Sequence, residues 1–142
     1  MDNLLYEKLM SASIRFVSFR PRSEKELRDF CLKTLKRHHT TAPLAVNQVM
    51  IRLQELGYAD DKKFVDWWVG QRASFRPKGK RALEMELRAK GIKNPEINID
   101  ERQLAKKAIE RKLGTLDNDR LKNYLYRRGF DPGVVDDVLG KE

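Results

Sequence analysis

Leu53-Gln54-Glu55-Leu56-Gly57-Tyr58-Ala59-Asp60-Asp61-Lys62-Lys63-Phe64-Val65-Asp66-Trp67-Trp68 is the stretch from which the fold can be built outward. Leu53 and Leu56 close the apolar face of one helix. Gly57 is free to take the left-handed conformation that stops it, with Tyr58 folding back onto the last turn. Asp60 or Asp61 can then accept from the open N–H groups of a new helix carrying Phe64, Trp67 and Trp68.

The same grammar extends in both directions. Upstream, Val46, Val49, Met50, Leu53 and Leu56 recur at helical spacing behind a first-turn Pro43. Before them, Ser23-Glu24-Lys25-Glu26 is a capping box opening a helix whose stripe is Leu27, Phe30, Cys31, Leu32 and Leu35. A first helix over 3–19 should break near Arg20, because the residue before Pro21 is pushed out of helical geometry. Downstream, the tryptophan helix should run from about 61 to 75 and stop at Pro77 and Gly79. Leu83, Met85 and Leu87 begin the next, and 94–99, with Pro95 near its start, predicts one or two further turns. Leu104, Ala105, Ala108, Ile109 and Leu113 form a stripe closed by Gly114. Asp117, Asn118 or Asp119 caps a helix with Leu121, Tyr124 and Leu125. Asp131-Pro132 starts the last helix, with Val134, Val135, Val138 and Leu139. No stretch alternates with period two, so the fold class is all-α.

Leu53-xxx-Gly57-Tyr58 returns as Leu87-xxx-Gly91-Ile92 and Leu125-xxx-Gly129-Phe130. That period suits units of two or three short helices stacked side by side, each too small to be stable alone. Helices also end commonly in glycine plus a hydrophobe, which explains the pattern without a repeat.

The chain has 142 residues, 36% of them charged, and a net charge of +9. Such an excess favours phosphate backbones, acidic proteins or anionic membranes without choosing among them. The charge is uneven. Residues 72–93 hold eight basic side chains against two acidic, whereas 44–71 hold three against four. Arg72-Ala73-Ser74-Phe75-Arg76-Pro77-Lys78-Gly79-Lys80-Arg81 is the densest run, spanning a turn from which side chains can fan toward one partner. It could contact DNA phosphates without reading sequence, and a solvated helix junction accounts for it equally. A lone Cys31 among Phe30, Leu32 and Leu35 reads as a buried small side chain, and excludes an internal disulfide, as in a reducing compartment. No apolar run approaches the roughly 20 residues that cross a bilayer. The start is acidic at Asp2, unlike a signal peptide, so the cytoplasm is the expected location.

Signs of catalysis are weak. His38 and His39 are adjacent and cannot form an i, i+4 metal pair. Lys78-Gly79-Lys80 lacks the glycine spacing and hydroxyl of a phosphate loop. Helix capping accounts for Asp60 and Asp61 without a metal ion. Trp67 and Trp68 read as core more than as base-stacking platforms, although neighbours on a helix cannot both face fully inward. The expectation is a protein that is not an enzyme, with no cofactor or metal.

Four motifs in order resemble the RecX family, bacterial regulators of the RecA recombinase. They are Arg20-Pro21-Arg22-Ser23-Glu24-Lys25-Glu26-Leu27, Leu53 to Phe64 in the quoted stretch, Lys78-Gly79 with Leu87-Arg88-Ala89-Lys90-Gly91-Ile92, and Leu125-Tyr126-Arg127-Arg128-Gly129-Phe130. The resemblance implies an elongated, curved array of tandem three-helix repeats, divided here at 1–76, 77–115 and 116–142. It implies a regulator that lies in the groove of RecA–DNA filaments and mostly inhibits recombinase, ATPase and coprotease activities; a sequence-neutral DNA-binding module is the alternative. Partners would be the RecA filament and single- or double-stranded DNA, directly or within it, and no membrane. Arg20, Arg22, Arg72, Arg76, Lys78, Lys80, Arg81, Arg88, Lys90, Arg127 and Arg128 would form the partner face. Leu53, Leu56, Gly57, Tyr58, Asp60, Asp61, Phe64, Gly91, Gly129 and Phe130 would be a structural signature. Two features depart from the family pattern: His38-His39 stands where a glycine is usual, and the third repeat is expected to lack its last helix.

Overall fold

A computed structural model describes residues 3–140, so Asp2 lies outside the described residues. Eight α-helices follow one another: α1 (Asn3–Phe19), α2 (Glu24–Arg37), α3 (Pro43–Glu55), α4 (Asp61–Phe75), α5 (Lys80–Ala89), α6 (Glu101–Ile109), α7 (Asn118–Arg127) and α8 (Pro132–Leu139). A 3-10 turn, Glu110–Lys112, extends α6. There is no strand among the described residues, and the chain is all-α.

The chain forms two compact units. Among the described residues, one comprises 3–64 with 90–92, the other 65–89 with 93–140. In the first, α1, α2 and α3 pack on one another around Leu9, Leu27, Cys31, Leu35, Val46, Val49, Met50 and Leu53, all essentially without solvent contact. The Cys31 thiol lies 3.4 Å from the Ser13 hydroxyl in that core. In the second, α6, α7 and α8 close a core of Ala105, Ile109, Leu121, Leu125, Phe130 and Val135.

The joints obey local backbone chemistry. Ser23 accepts from the Glu26 N–H at 3.1 Å while Glu26 accepts from the Ser23 N–H at 3.1 Å, the reciprocal capping box. Gly57 has φ +83°, and the Tyr58 N–H reaches the Leu53 carbonyl at 2.9 Å, closing α3. Gly129, φ +87°, closes α7 in the same way, with the Phe130 N–H on the Leu125 carbonyl at 3.1 Å. The joint after α2 does so without glycine: His39 takes φ +56°, and the Thr40 N–H reaches the Leu35 carbonyl at 3.1 Å. Asp60 caps α4 and Asp117 caps α7 through their carboxylates.

Several expectations fail at the edges of helix faces. Leu32, Leu56, Met85 and Leu113 are exposed: Leu32 lies beside the buried row of α2, Met85 lies on the face of α5 opposite Leu83 and Leu87, and Leu56 and Leu113 lie beyond the last turns of their helices. Tyr58 folds back with its backbone N–H, but its side chain stays exposed. Residues 94–99 form no helix. Pro95, Ile97 and Ile99 are instead half-buried at alternate positions between exposed neighbours, the pattern of an extended segment.

Candidate functional site

In the first unit the signature cations turn inward. Arg20 donates through Nη2 to Glu26 Oε2 at 2.5 Å and through Nη1 to the Pro21 carbonyl at 2.8 Å. Lys90 reaches the same Glu26 oxygen at 3.4 Å. Burial pushes the Glu26 carboxyl up, but hydrogen bonds from Arg20 and the Ser23 N–H, with the charges of Arg20 and Lys90, hold it below its ordinary value. Arg22 donates to the Phe16 carbonyl at 3.2 Å and lies 3.8 Å over the Phe16 ring, which stacks on Phe30. The two aspartates of the quoted stretch divide their work. Asp60 caps its own helix, and Asp61 accepts from the Glu24 N–H at 2.8 Å, serving the open first turn of α2.

The second unit has its own carboxylate hub. Glu86 on α5 accepts from Trp68 Nε1 at 3.1 Å, from Arg72 Nε at 3.1 Å and Nη2 at 2.8 Å, and from Lys78 Nζ at 2.8 Å. Burial raises the Glu86 carboxyl, and these three donors more than offset it, leaving it below its ordinary value. Arg72 also sits 4.9 Å over the Trp68 ring. Trp67 and Trp68 are both half-buried, so neither is a full core residue. The hub accounts for Trp68, and Trp67 meets the Trp68 ring edge-on with centroids 6.3 Å apart.

Beside the hub, the turn after α4 docks on the turn after α7. The Gly79 N–H donates to the Arg128 carbonyl at 2.8 Å, and the Arg128 guanidinium donates to the carbonyls of Arg76 at 2.8 Å and Pro77 at 3.2 Å. A Cβ on Gly79 would overlap the Gly129 carbonyl, so the two turns touch backbone to backbone. Arg76, Lys80, Arg81 and Arg127 flank this joint. All four are exposed, and their side chains make no hydrogen bond or ion pair among the described residues. Arg88 makes only a long, exposed pair with Glu84 at 3.8 Å.

The structure thus sorts the eleven candidate cations. Arg20, Arg22 and Lys90 are engaged in the first unit and Arg72, Lys78 and Arg128 in the second, Arg88 is only loosely paired with Glu84, and Arg76, Lys80, Arg81 and Arg127 are exposed with no side-chain partner among the described residues. Three further cations next to Arg76 escaped sequence reading: Lys107, Arg111 and Lys112, which line one cavity with it. The signal available in the sequence was the nine basic side chains against three acidic over 102–128, but nothing local tied these three to the turn after α4. Among the described residues, no group of His, Cys, Asp and Glu could hold a metal ion, and no helix is long and apolar enough to cross a membrane.

Comparison with known proteins agrees with this architecture. Residues 60–99 match the family model of the second three-helix domain of RecX. The chain is 34% identical to the regulatory protein RecX of Mycolicibacterium smegmatis over 155 residues, covering 96% of this chain and 80% of that protein. It is 28% identical to the regulatory protein RecX of Oceanobacillus iheyensis over 93% of this chain, and spans about half (52%) of that relative's length. The fold matches the crystal structure of RecX from Lactobacillus salivarius with a TM-score of 0.70 at 18% identity, covering 95% of this chain and 94% of that one. A second crystal structure of regulatory protein RecX matches with a TM-score of 0.73 at 21% identity, covering 96% of this chain and 74% of that one. The chain belongs to the RecX family of regulatory proteins.

Proposed function

We propose that this chain binds RecA–DNA filaments in their helical groove and restrains RecA, lowering its ATPase, strand-exchange and coprotease activities in the cytoplasm. Such a protein would act in recombination, DNA repair and the SOS response by binding, with no reaction of its own. The observation that carries the reading is the set of unpartnered, exposed cations Arg76, Lys80, Arg81 and Arg127 beside a joint fixed backbone to backbone. Cations held on helix ends rather than on a loose tail meet an acidic or phosphate surface with little ordering cost. A ligand that holds neighbouring protomers in one orientation opposes the shifts required by filament growth and ATP turnover.

The test is inhibition of RecA ATPase on single-stranded DNA by the double variant Arg76→Ala, Lys80→Ala. Loss of two charge contacts should raise the concentration needed for half-inhibition on the order of tenfold. Unchanged inhibition by the folded variant removes this surface from the proposal. Protein that is captured by naked DNA but never by nucleotide-loaded filaments would favour a plain DNA-binding module instead.

A further inference from the structure

Next to Arg76, the second unit holds a cavity of about 410 Å³, a size that suits a nucleotide-sized ligand. Its walls come from the end of α4, from α6 and its 3-10 extension, and from α7. Phe75, on the last turn of α4, is 76% exposed at its edge. Around it stand Arg76, Lys107, Arg111 and Lys112, with Glu110 the one acidic residue in the lining. Lys107 Nζ donates to the Ala73 carbonyl at 2.8 Å, which ties α6 to α4 and leaves the ammonium two more hydrogens. Lys112 Nζ lies 4.7 Å from the centre of the Tyr124 ring, so a cation already occupies one face of that aromatic. Phe75 is the ring left open.

We propose that this groove takes single-stranded DNA, with a base stacked on Phe75 and the adjoining phosphates held by Arg76, Arg111, Lys107 and Lys112. The proposal rests on the reading that the chain works on DNA-bound filaments, and it names the part of the molecule that meets the strand. Cations alone would suit duplex and single strand alike, because both present phosphates. An exposed ring among them selects the single strand, whose base faces are uncovered, and it does so for any base. The tryptophans are half-buried, and Trp68 is engaged by Glu86 and Arg72, whereas the Phe75 ring is exposed and bears no such contact.

The experiment measures binding of the full chain, without RecA, to labelled oligothymidylate and to an abasic oligomer of equal length. The wild type should prefer the thymidylate. Phe75→Ala should lose that preference, binding thymidylate roughly five- to fiftyfold more weakly. Its affinity for the abasic strand and its Tm should stay unchanged, while Phe75→Tyr should keep the preference. Arg111→Ala should weaken both oligomers alike and flatten the salt dependence. Equal binding of the two oligomers by the wild type, or a preference that survives in Phe75→Ala, overturns the groove. A wild type that never binds filaments yet shows the Phe75-dependent preference overturns the filament reading and supports the groove. Filament inhibition without any base preference does the reverse.

Discussion

Each unit is tied together by one glutamate that gathers cations, and the two differ in what they leave over. Glu26 joins the cap of α2 to Arg20 and to Lys90, and Arg22 beside it covers Phe16. No signature cation of the first unit remains open. Glu86 takes Trp68, Arg72 and Lys78, yet the same unit still shows Arg76, Lys80, Arg81 and Arg127 without partners. Charge density therefore does not separate the two units. What separates them is where the motif cations go: in the first unit a carboxylate, a carbonyl or a ring holds each of them, and in the second four stay open.

The backbone repeats the contrast and carries the largest expected effect. Gly129 and Gly91 both have positive φ, +87° and +90°. A Cβ on Gly129 would sit 2.6 Å from the Ala82 nitrogen and closer still to its Cβ, whereas one on Gly91 would sit 2.6 Å from Cβ of the long, exposed Lys25. Rotation of the Lys25 side chain moves its Cγ and Cδ away but leaves its Cβ in place, so the clash at Gly91 is relieved only in part, whereas every atom crowding Gly129 belongs to the backbone or Cβ of Ala82. Gly129→Ala should cost about 3 kcal/mol, the left-handed penalty plus overpacking, and Gly91→Ala about 2–3 kcal/mol. Urea denaturation of the two variants checks the ranking. A larger loss for Gly91→Ala would mean that the turn-on-turn joint of the second unit is no tighter than its counterpart.

The hubs come next. Glu26→Gln and Glu86→Gln should each lower stability by about 2 kcal/mol, because charged hydrogen bonds among part-buried groups are lost. Both carboxyls lie below the ordinary glutamate value in the folded chain. Their contribution is therefore fully present above that ordinary value, about 4.3, and disappears as the pH falls through the lowered folded value. Each Gln variant should lose part of the wild type's acid sensitivity as the pH falls below the ordinary glutamate value. The hubs should separate in function. Glu86→Gln releases Arg72 and Lys78 next to the open cations and should tighten DNA binding several-fold at low salt, while Glu26→Gln should leave it unchanged. A tighter Glu26 variant would break the distinction between the units.

Sequence reading succeeded where the chemistry is local. The capping box at Ser23, the glycine stops at 57, 91 and 129, and the Asp60 and Asp117 caps all act within a few residues, and each is in place. It overreached at the stripe edge with Leu32, because a small three-helix unit buries a narrower face than a larger core would, and at Met85, whose two-residue spacing from Leu83 and Leu87 turns it to the opposite face of α5. Over 94–99 the proline was read as a helix start, and the alternation of Pro95, Ile97 and Ile99, only five residues long, did not register as a period-two stretch. The boundary between the units was invisible: it falls between Phe64 and Val65, inside α4, with no breaker there. Nor could the cations be sorted, since Lys90 meets Glu26 across 64 residues and Arg72 meets Glu86 across 14.

The smallest effect reverses sign. The first unit ends α2 with the same left-handed turn that glycine makes elsewhere, but places His39 there, at φ +56° and exposed to solvent. A side chain with a Cβ costs roughly 1–2 kcal/mol in that conformation. Glycine removes this cost and returns part of it through the larger entropy of its unfolded chain, about 0.4–1 kcal/mol. His39→Gly should therefore stabilise the protein by about 0.5–1 kcal/mol, seen as a higher denaturant midpoint at unchanged slope. Gly57→Ala in the same unit should destabilise by about 1 kcal/mol, because only the Lys63 ammonium comes within 4.0 Å of the added Cβ and the left-handed penalty acts alone. If His39→Gly leaves the midpoint where it was, the imidazole must stabilise the folded turn by as much as its backbone costs, and His39→Asn separates the cases. Asparagine tolerates the left-handed region but has no imidazole. A gain with Asn alone would make the cost conformational, and a loss with both would assign the His39 side chain a stabilising contact of its own.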